Sequence, residues 1–366
     1  MENKKILIIS TEKWGDNFVC KHHYAKYLSE NNQVYFLGPA QGSHKSPLKK
    51  QSIQAIKISD NLTVIEYKNL IPKLNSAPKV VQERLYKKMA KNIQSHSCES
   101  FDLVWSFDPY RFFNQGVWVS DKRLYHSADI HYNAKYENEI AKSSDIIISI
   151  SKYLDEKLPE GSTSHPLGHA TDIHSDDKYD SSFPGNNKIK AAMVGNFSNY
   201  LDYNLIGEIA ETSPEVDFIF VGPKAESNLG SADPIVVSQI EELEKTKNIF
   251  FIGEVRYSRL NDLLSKVDIN LTLYKQELRV VNAHKILSYL LSGNVTICSY
   301  IQDYDGADEN LISIVDNNED LPNRIKEIAS NLEYWNSENL MSIRKNYAID
   351  RSYPNKIKEI SQLIYK

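Results

Sequence analysis

The segment Asn282-Ala-His-Lys285-Ile-Leu-Ser-Tyr-Leu-Leu-Ser-Gly293, followed by Asn-Val-Thr-Ile-Cys-Ser299, decides the fold. Asn282 is a good helix N-cap and Gly293 a good helix stop, so the segment predicts a helix between them. Apolar residues recur at helical spacing along this stretch, and the run from Val295 to Cys298 predicts a buried strand. A helix leading directly into a strand is typical of a parallel α/β sheet.

Lys285 falls in the first turn of this helix, where free backbone N–H groups and the helix dipole attract anions. A lysine at a helix start, just before a parallel strand, is suited to gripping a diphosphate. An ordinary amphipathic helix with a solvated lysine is the other interpretation, and the segment by itself favours it.

Length and composition predict two domains in a soluble chain. The sequence has 366 residues, 41% hydrophobic and 25% charged, which is enough for two domains of average size. The apolar run Ile6–Ile9 is too short for a signal peptide or a membrane span. Three scattered cysteines without metal spacing favour a cytoplasmic protein, and Cys298 is expected in the core.

Short apolar runs alternate with helical patterns along both halves of the chain, which predicts parallel sheets covered by helices. In the first half, strands are predicted at 5–10, 33–37, 62–67, 103–106, 123–126 and 145–149. In the second half, they are predicted at 190–194, 217–221, 249–252, 269–273, 295–299 and 312–315. A polar stretch rich in turn-forming residues, 159–188, interrupts the alternation, and its centre predicts an interdomain connection.

The segment from Lys285 to Thr296 resembles the Lys-x-x-Glu-Tyr-x-x-x-Gly-x-Pro-Val block of glycosyltransferases with the GT-B fold, especially family 4 and its relatives. The segments preceding that block in the family resemble 248–257 and 260–273 of this chain. Two strands ending in glycine, within 191–197 and 217–223, resemble those that open the donor domain. The order and spacing agree over roughly the last half of the chain.

The resemblance implies two doubly wound, Rossmann-like domains facing a cleft, with a C-terminal helix crossing back to the first domain. On this basis residues 1–165 and 352–366 form an acceptor-side domain. Residues 166–188 connect it to a nucleotide-sugar-binding domain, 189–351.

The implied activity is that of a hexosyltransferase acting in bacterial surface polysaccharide biosynthesis. The sugar would pass from a nucleotide-diphosphate donor, with a UDP-sugar favoured, to a saccharide or a lipid-linked saccharide. No metal or other cofactor is expected, because GT-B enzymes usually neutralise the leaving diphosphate with basic side chains and helix N-termini. A nucleotide-sugar epimerase and a non-catalytic nucleotide-sugar-binding subunit remain alternatives.

Basic residues near the helix start are the leading candidates for holding the donor diphosphate. Lys285 is the first and Arg279 the second, although Arg279 could equally be a plain surface residue. Glu277 could bind sugar hydroxyls or pair with Arg279. The family glutamate that commonly holds the ribose is replaced here by Ser288, and the proline of its Gly-x-Pro-Val by Val295.

Three glycine-containing strand ends are further candidates for the donor site, because glycine permits close approach of a ligand. These are Gly195-Asn196, Gly222-Pro223 and Gly253-Glu254-Val255, the last resembling a loop that cradles the base in related enzymes. Taken singly, each glycine is also explained by a tight turn.

Catalytic and acceptor residues are sought in the first domain. Asp129 is the preferred general base if the enzyme inverts, and His126 is the alternative because its pKa suits proton transfer. Asp129 could instead cap a helix predicted to begin near Tyr132. The loop after the first strand, with Trp14, Gly15 and Asp16, is expected to face the acceptor.

Charge is unevenly distributed along the chain. Residues 1–165 carry 23 basic and 18 acidic side chains, whereas the remainder carries 20 and 30. Residues 44–91 alone hold 11 basic and 3 acidic side chains. Such a segment can dock on anionic lipid or on an acidic polymer, or it can be a solvated surface. Docking on lipid would place the protein peripherally at the inner face of the membrane. Nucleic acid is not expected, because no recognised motif accompanies the basic residues.

Overall fold

The computed structural model describes residues 1–15, 18–43, 51–129, 131, 134–156, 158, 164–173, 177–223, 233–278 and 280–365. The chain divides into two units, one of Met1–His169 with Tyr353–Lys366 and the other of Ala170–Ser352. None of the helices in these ranges is long and apolar enough to cross a membrane.

The first unit contains an eight-stranded sheet. Its strands are β1 (Lys5–Ile9), β2 (Gln33–Leu37), β3 (Ile53–Lys57), β4 (Leu62–Tyr67), β5 (Phe101–Ser106), β6 (Ser120–Ser127), β7 (Ile146–Ser149) and β8 (Ser164–Pro166). Its first four helices are α1 (Cys20–Leu28), α2 (Lys79–Gln94), α3 (Glu137–Lys142) and α4 (Lys152–Asp155).

The second unit contains a six-stranded sheet. Its strands are β9 (Ile189–Val194), β10 (Val216–Val221), β11 (Ile249–Gly253), β12 (Ile269–Thr272), β13 (Val295–Ser299) and β14 (Ser313–Val315). Its helices are α5 (Tyr203–Thr212), α6 (Pro234–Leu243), α7 (Leu260–Leu264), α8 (Lys285–Ser292), α9 (Leu321–Ser330), α10 (Leu332–Trp335) and α11 (Glu338–Asp350). The chain then returns to the first unit as α12 (Tyr353–Ile364).

Both sheets have the doubly wound strand order. The first runs β3-β4-β2-β1-β5-β6-β7-β8, with only the edge pair β3–β4 antiparallel, and the second runs β11-β10-β9-β12-β13-β14 with all pairs parallel. The order reverses between β1 and β5 in the first sheet and between β9 and β12 in the second. Open α/β sheets bind ligands outside the carboxyl ends of the strands at such a switch point.

Apolar side chains on both faces explain why the central strands are parallel and buried. In β1 the four residues from Ile6 to Ile9 are all fully buried, and every residue of β10 is buried. Near-continuous hydrophobic runs of this kind are typical of parallel strands covered on both faces. The predicted alternation of strands and helices is confirmed in both units.

Aromatic contacts hold the C-terminal helix α12 on the first unit. The ring of Tyr353 stacks on His23 at 4.9 Å and on Tyr27 at 5.7 Å, and meets Tyr24 edge-on at 5.0 Å. All four side chains are buried. The predicted return of the C-terminal helix to the first unit is therefore confirmed.

The start of α8 differs from the prediction. The helix begins at Lys285, with His284 in the N-cap position, and the His284 side chain forms no capping hydrogen bond. Asn282 instead donates to Asp303 Oδ2 at 2.8 Å, because backbone bonds tie the loop before α8 to the loop after β13. The predicted Asn282 cap is therefore wrong. The stop at Gly293 is confirmed by its left-handed φ of 86°.

A buried arginine joins four neighbouring strands of the first sheet at their carboxyl ends. Arg111 Nη2 donates to Ser10 O at 2.6 Å, and its Nη1 donates to Gly38 O at 2.8 Å and to Tyr67 Oη at 2.6 Å. Its Nε donates to Asp108 Oδ2 at 2.5 Å. These partners follow or end β1, β2, β4 and β5, so one guanidinium fixes the edge at the switch point. Burial lowers the pKa of Arg111, but Asp108 and the other partners hold it above its ordinary value.

We expect Arg111→Met to destabilise the protein by about 3–5 kcal/mol, because it leaves the Asp108 carboxylate buried without its partner. Urea unfolding measures the loss. Lys57→Met is the matched control, since it breaks an exposed pair with Asp60 and should cost less than about 1 kcal/mol. Equal losses in the two variants would contradict the cross-linking role of Arg111.

Candidate functional site

Lys285 lies at the switch point of the second sheet. Its ammonium sits 5.2 Å from the centroid of the Tyr274 ring, just beyond the end of β12. On the other side it approaches the end of β9 so closely that a Cβ added to Gly195 would lie 2.6 Å from Nζ. The side chain is half-buried. The first residue of α8 therefore delivers a positive charge to the place where doubly wound sheets bind ligands.

This ammonium lacks a counter-charge within the described part of the chain. No described carboxylate lies within ion-pairing distance of Nζ, and no described group forms a hydrogen bond with it. Desolvation lowers the pKa of Lys285 to about 8. A desolvated cation without a partner is an energetic cost that an anionic ligand would offset.

Three glycines end three adjacent strands beside this lysine. Gly195, Gly222 and Gly253 follow or end β9, β10 and β11, and all have positive φ, at 148°, 147° and 78°. The N–H of Gly222 donates to Gly253 O at 2.8 Å, and a Cβ on Gly222 would lie only 1.9 Å from Gly195 O. The backbones therefore approach more closely at this edge than side chains would permit.

Tyrosines complete the surroundings of Lys285. Tyr289, one turn along α8, accepts a hydrogen bond from the N–H of Val194 at 2.8 Å, which fixes the helix against the end of β9. Tyr200 meets Tyr274 edge-on at 5.8 Å and donates to Asn196 O at 3.0 Å. Tyr200, Tyr274 and Tyr289 were not among the site residues predicted from the sequence. The position of Tyr274 directly after a predicted strand end was the available signal.

The other predicted donor residues lie along the same carboxyl edge with different exposures. Ser288 is one turn after Lys285 on α8 and is 9% exposed, whereas Glu277 is exposed on a 3₁₀ turn after β12. Arg279 lies outside the described residues. Four more candidates follow the glycine-ended strands, with Asn196 and Glu254 exposed and Pro223 and Val255 partly buried.

In the first unit, His126 lies at the end of β6 inside an aromatic cluster. Its ring lies 4.6 Å from Phe107, 5.7 Å from Tyr24 and 6.0 Å from Trp105, and it is 3% exposed. Desolvation holds the pKa of His126 well below its usual value, so the ring is neutral at pH 7. Proton exchange between this ring and a ligand would require the packing to open.

Asp129 follows β6 and is exposed. It does not cap the next helix, because α3 begins at Glu137 with Tyr136 in the N-cap position. The Asp129 carboxylate raises the pKa of nearby His131, although desolvation is the larger effect and leaves that pKa below its ordinary value. Asp129 thus occupies the carboxyl edge of the first sheet without the helix-capping role that was its alternative explanation.

Beside the loop after β1, another buried cation is paired with a carboxylate. Lys21 Nζ, buried at the start of α1, donates to Thr11 Oγ1 at 2.7 Å and to Glu12 Oε2 at 2.5 Å. Burial raises the pKa of Glu12, but the ammonium outweighs burial and the net pKa is lowered. The sequence analysis did not identify this pair.

The predicted acceptor-side residues are differently placed in this loop. Trp14 is half-buried and packs edge-on against Phe36 at 5.0 Å and Phe18 at 5.2 Å. Gly15 is exposed, and Asp16 lies outside the described residues.

A metal ion would need several ligating side chains around one point. Within the ranges described above, no cluster of three or more His, Cys, Asp or Glu side chains is arranged around a common point. Asp303-Tyr-Asp305 forms a loop in which Asp303 accepts from Asn282 and Asp305 accepts from Tyr300.

Comparison with known proteins gives matches in structure only. No protein-family model and no curated protein sequence matches the chain. The structure is similar to sucrose-phosphate synthase from Thermosynechococcus elongatus, with a TM-score of 0.71, 13% identity and coverage of 99% of this chain and 98% of that one. It is also similar to Anabaena HepE in complex with UDP and glucose (TM-score 0.70, 15% identity, 99% of both chains). A glycosyltransferase from Rickettsia africae matches with a TM-score of 0.68, 14% identity and coverage of 99% and 98%.

The chain has the GT-B fold. The similar structures are glycosyltransferases of that architecture, and the matches extend over nearly the full length of each chain. This confirms the fold class predicted from the sequence. At 10–15% identity, the GT-B match concerns the path of the chain and not its substrates.

We expect Gly222→Ala to destabilise the protein more than Gly253→Ala. An alanine at 253 meets no atom within 4 Å and costs about 1–2 kcal/mol for its left-handed backbone. An alanine at 222 also adopts a positive φ that L-residues rarely adopt, and in addition it forces Gly195 O away. Urea unfolding of the two variants makes the comparison, and a smaller loss for Gly222→Ala would refute the close backbone approach.

Proposed function

We propose that this protein is a glycosyltransferase that moves a hexose from a nucleotide-diphosphate donor to a saccharide or lipid-linked saccharide acceptor. The observation that carries the proposal is the half-buried Lys285 ammonium, which lacks a described counter-charge at the switch point of the second sheet. A cytoplasmic role in bacterial surface polysaccharide biosynthesis is the setting we propose for this activity.

The proposed chemistry starts with loss of the diphosphate. The bond between the anomeric carbon of the sugar and the diphosphate oxygen breaks, and the electron pair leaves with the nucleotide. Negative charge therefore grows on the leaving group, and a fixed cation that meets it lowers the barrier. Lys285 supplies that cation, and the N-terminus of α8 adds partial positive charge at the same point.

The glycine-ended strands give the donor room. Without side chains at Gly195 and Gly222, a ligand can approach backbone N–H and C=O groups at the carboxyl edge. UDP is the nucleotide we favour, since the similar HepE structure is a complex with UDP and glucose. Ser288 is proposed to meet the ribose with a neutral hydroxyl, where the resembling family commonly uses a carboxylate.

The acceptor hydroxyl must lose a proton as its oxygen forms the new bond to the anomeric carbon. In an inverting reaction we propose Asp129 as the base, because its carboxylate is exposed at the carboxyl edge of the first sheet. His126 is the weaker candidate, because its ring is enclosed by aromatic side chains. Trp14, Gly15 and Asp16 are proposed to lie on the acceptor side.

A non-catalytic nucleotide-sugar-binding subunit is the second candidate function. Ser288 favours it, because a hydroxyl holds a ribose less strongly than the carboxylate found at that place in the resembling family. The two functions differ in a simple measurement. A catalyst turns a nucleotide sugar over to free nucleotide, and a binding subunit only retains it.

Lys285→Met should weaken UDP binding by roughly 1.5–3 kcal/mol, the range for a hydrogen bond to a charged group. Isothermal titration calorimetry measures the change, with EDTA present in a parallel series to test whether a metal is needed. Lys247→Met is the control, since that exposed lysine precedes β11 at the opposite edge of the sheet. Unchanged affinity in Lys285→Met would reject the assigned diphosphate site, and loss of binding in EDTA would reject a metal-independent one.

The same interaction predicts a pH dependence. Because the pKa of Lys285 is lowered to about 8, its ammonium is mostly charged at pH 7 and mostly neutral at pH 9.5. UDP affinity should be near its maximum at pH 7, fall as the pH rises through about 8, and level off above the higher pKa that bound UDP gives the ammonium. Lys285→Met should be flat over this range. A wild-type profile as flat as that of the variant would contradict the role of the ammonium.

Incubation with a panel of nucleotide sugars and saccharide acceptors tests the reaction itself. We expect slow release of free UDP without acceptor and faster release with one. Asp129→Asn should lower transfer by about 10²-fold or more, the usual effect of losing a general base, while UDP affinity stays unchanged. Retention of UDP with no turnover of any sugar would favour the binding-subunit alternative.

A further inference from the structure

Helix α2 presents a row of exposed positive charges on the side facing away from its core. The buried side is formed by Gln82, Tyr86, Met89, Ala90 and Ile93. At 3.6 residues per turn, the opposite side carries four exposed basic residues, here called the cationic face, which consists of Arg84, Lys87, Lys88 and Lys91. From Arg84 to Lys91 the row extends over about 10 Å along the helix axis.

The charges of the cationic face are not compensated by described neighbours. None of its four side chains forms an ion pair with a carboxylate in the described ranges. Lys79, at the start of the same helix, pairs with Glu139 at 2.5 Å and is therefore not counted. The acidic residue within α2, Glu83, lies at the margin of the buried side and is half-buried. The face thus carries four positive charges and no negative one.

Two apolar side chains extend the same surface toward the start of the helix. Val80 is 56% exposed and Val81 is 38% exposed, one turn before the first residue of the cationic face. They suit a surface that combines negative charge with accessible hydrocarbon.

We propose that the cationic face and the two valines dock the protein on an anionic lipid surface. Acidic head groups complement the four cations, and the valines enter the boundary between head groups and acyl chains. An acidic polymer would satisfy the charges alone and leave the valines in water. This docking surface lies on the first unit and is separate from the proposed nucleotide site, so the two assignments can fail independently.

Co-sedimentation of the full chain with lipid vesicles tests the proposal. We expect binding to vesicles containing phosphatidylglycerol but not to vesicles of phosphatidylcholine alone. Binding should weaken strongly between about 0.1 M and about 1 M salt, as the Debye length falls from about 10 Å to about 3 Å. Replacing the four cations with glutamine should lower the partition coefficient by roughly a hundredfold or more, given the usual contribution of each basic residue. Val80→Ser with Val81→Ser should lower the fraction that remains bound at high salt.

A second variant separates this face from net charge. Lys26, Lys247, Lys326 and Lys358 are exposed, form no ion pair with a described residue and lie on other elements, so their replacement with glutamine changes net charge equally. This control should bind vesicles like the unmodified protein. UDP affinity, measured on both variants, shows whether the second unit remains intact.

Three results would overturn the proposal. The first is unmodified protein that stays in the supernatant with phosphatidylglycerol vesicles at low salt. The second is an equal loss of vesicle binding in the control variant. The third is tight binding to heparin or single-stranded RNA with no binding to vesicles, which would assign the face to an acidic polymer.

Discussion

The Lys285 ammonium is withdrawn from water without a described carboxylate to compensate it, and the donor-site assignment depends on this imbalance. Two other buried cations, in contrast, have hydrogen-bond partners within the protein. Arg111 is paired with Asp108 and bonded to the ends of four strands, and these partners hold its pKa above its ordinary value despite burial. Arg344 has three backbone carbonyls as partners and a pKa lowered to about 10 by desolvation. Arg111 and Arg344 therefore stabilise the fold, whereas the Lys285 ammonium can still form an ion pair with a ligand.

The backbone geometry beside Lys285 leaves its ammonium accessible to a ligand. Parallel strands bring their carboxyl ends to one edge, and at this edge three successive strands end in glycine with positive φ. Side chains at Gly195 or Gly222 would collide with Lys285 Nζ or with the neighbouring backbone. Tyr289 then fixes α8 against β9, so the helix that carries the lysine cannot drift from the strand end it serves. The same arrangement of α8 and the glycine-ended strands therefore positions the Lys285 ammonium and leaves space for a ligand beside it.

Local patterns predicted much of this fold. The apolar runs placed β1, β2, β4 and β5 close to their observed positions, because strands buried on both faces need continuous apolar sequence. The ordered set of segments in the second half predicted the GT-B fold, and Gly293 marked the end of α8. The edge strand β3 and the three-residue β8 were missed, since their exposed or short sequences carry little periodicity.

Contacts between distant residues could not be predicted in this way. Asn282 has the chemistry of a helix cap, but its partner Asp303 comes from a loop 21 residues away. Arg111 is separated from Ser10 by 101 residues, so nothing in its local sequence shows that it joins strand ends. For the same reason Lys285 could be proposed from the helix start, while its isolation from carboxylates could only be seen once the chain was folded.

The buried cations at the two carboxyl edges differ in whether a carboxylate pairs with them, and the difference bears on the division of roles that we propose. In the first unit the basic groups at the edge are neutralised locally, Lys21 by Glu12 and Arg111 by Asp108. In the second unit, no described carboxylate neutralises the Lys285 ammonium. A neutral acceptor hydroxyl needs orientation and a base but gains little from a fixed positive charge. A departing nucleoside diphosphate gains most from one, because its negative charge increases as the glycosidic bond breaks. The electrostatics of each unit therefore suit one half of a glycosyl transfer.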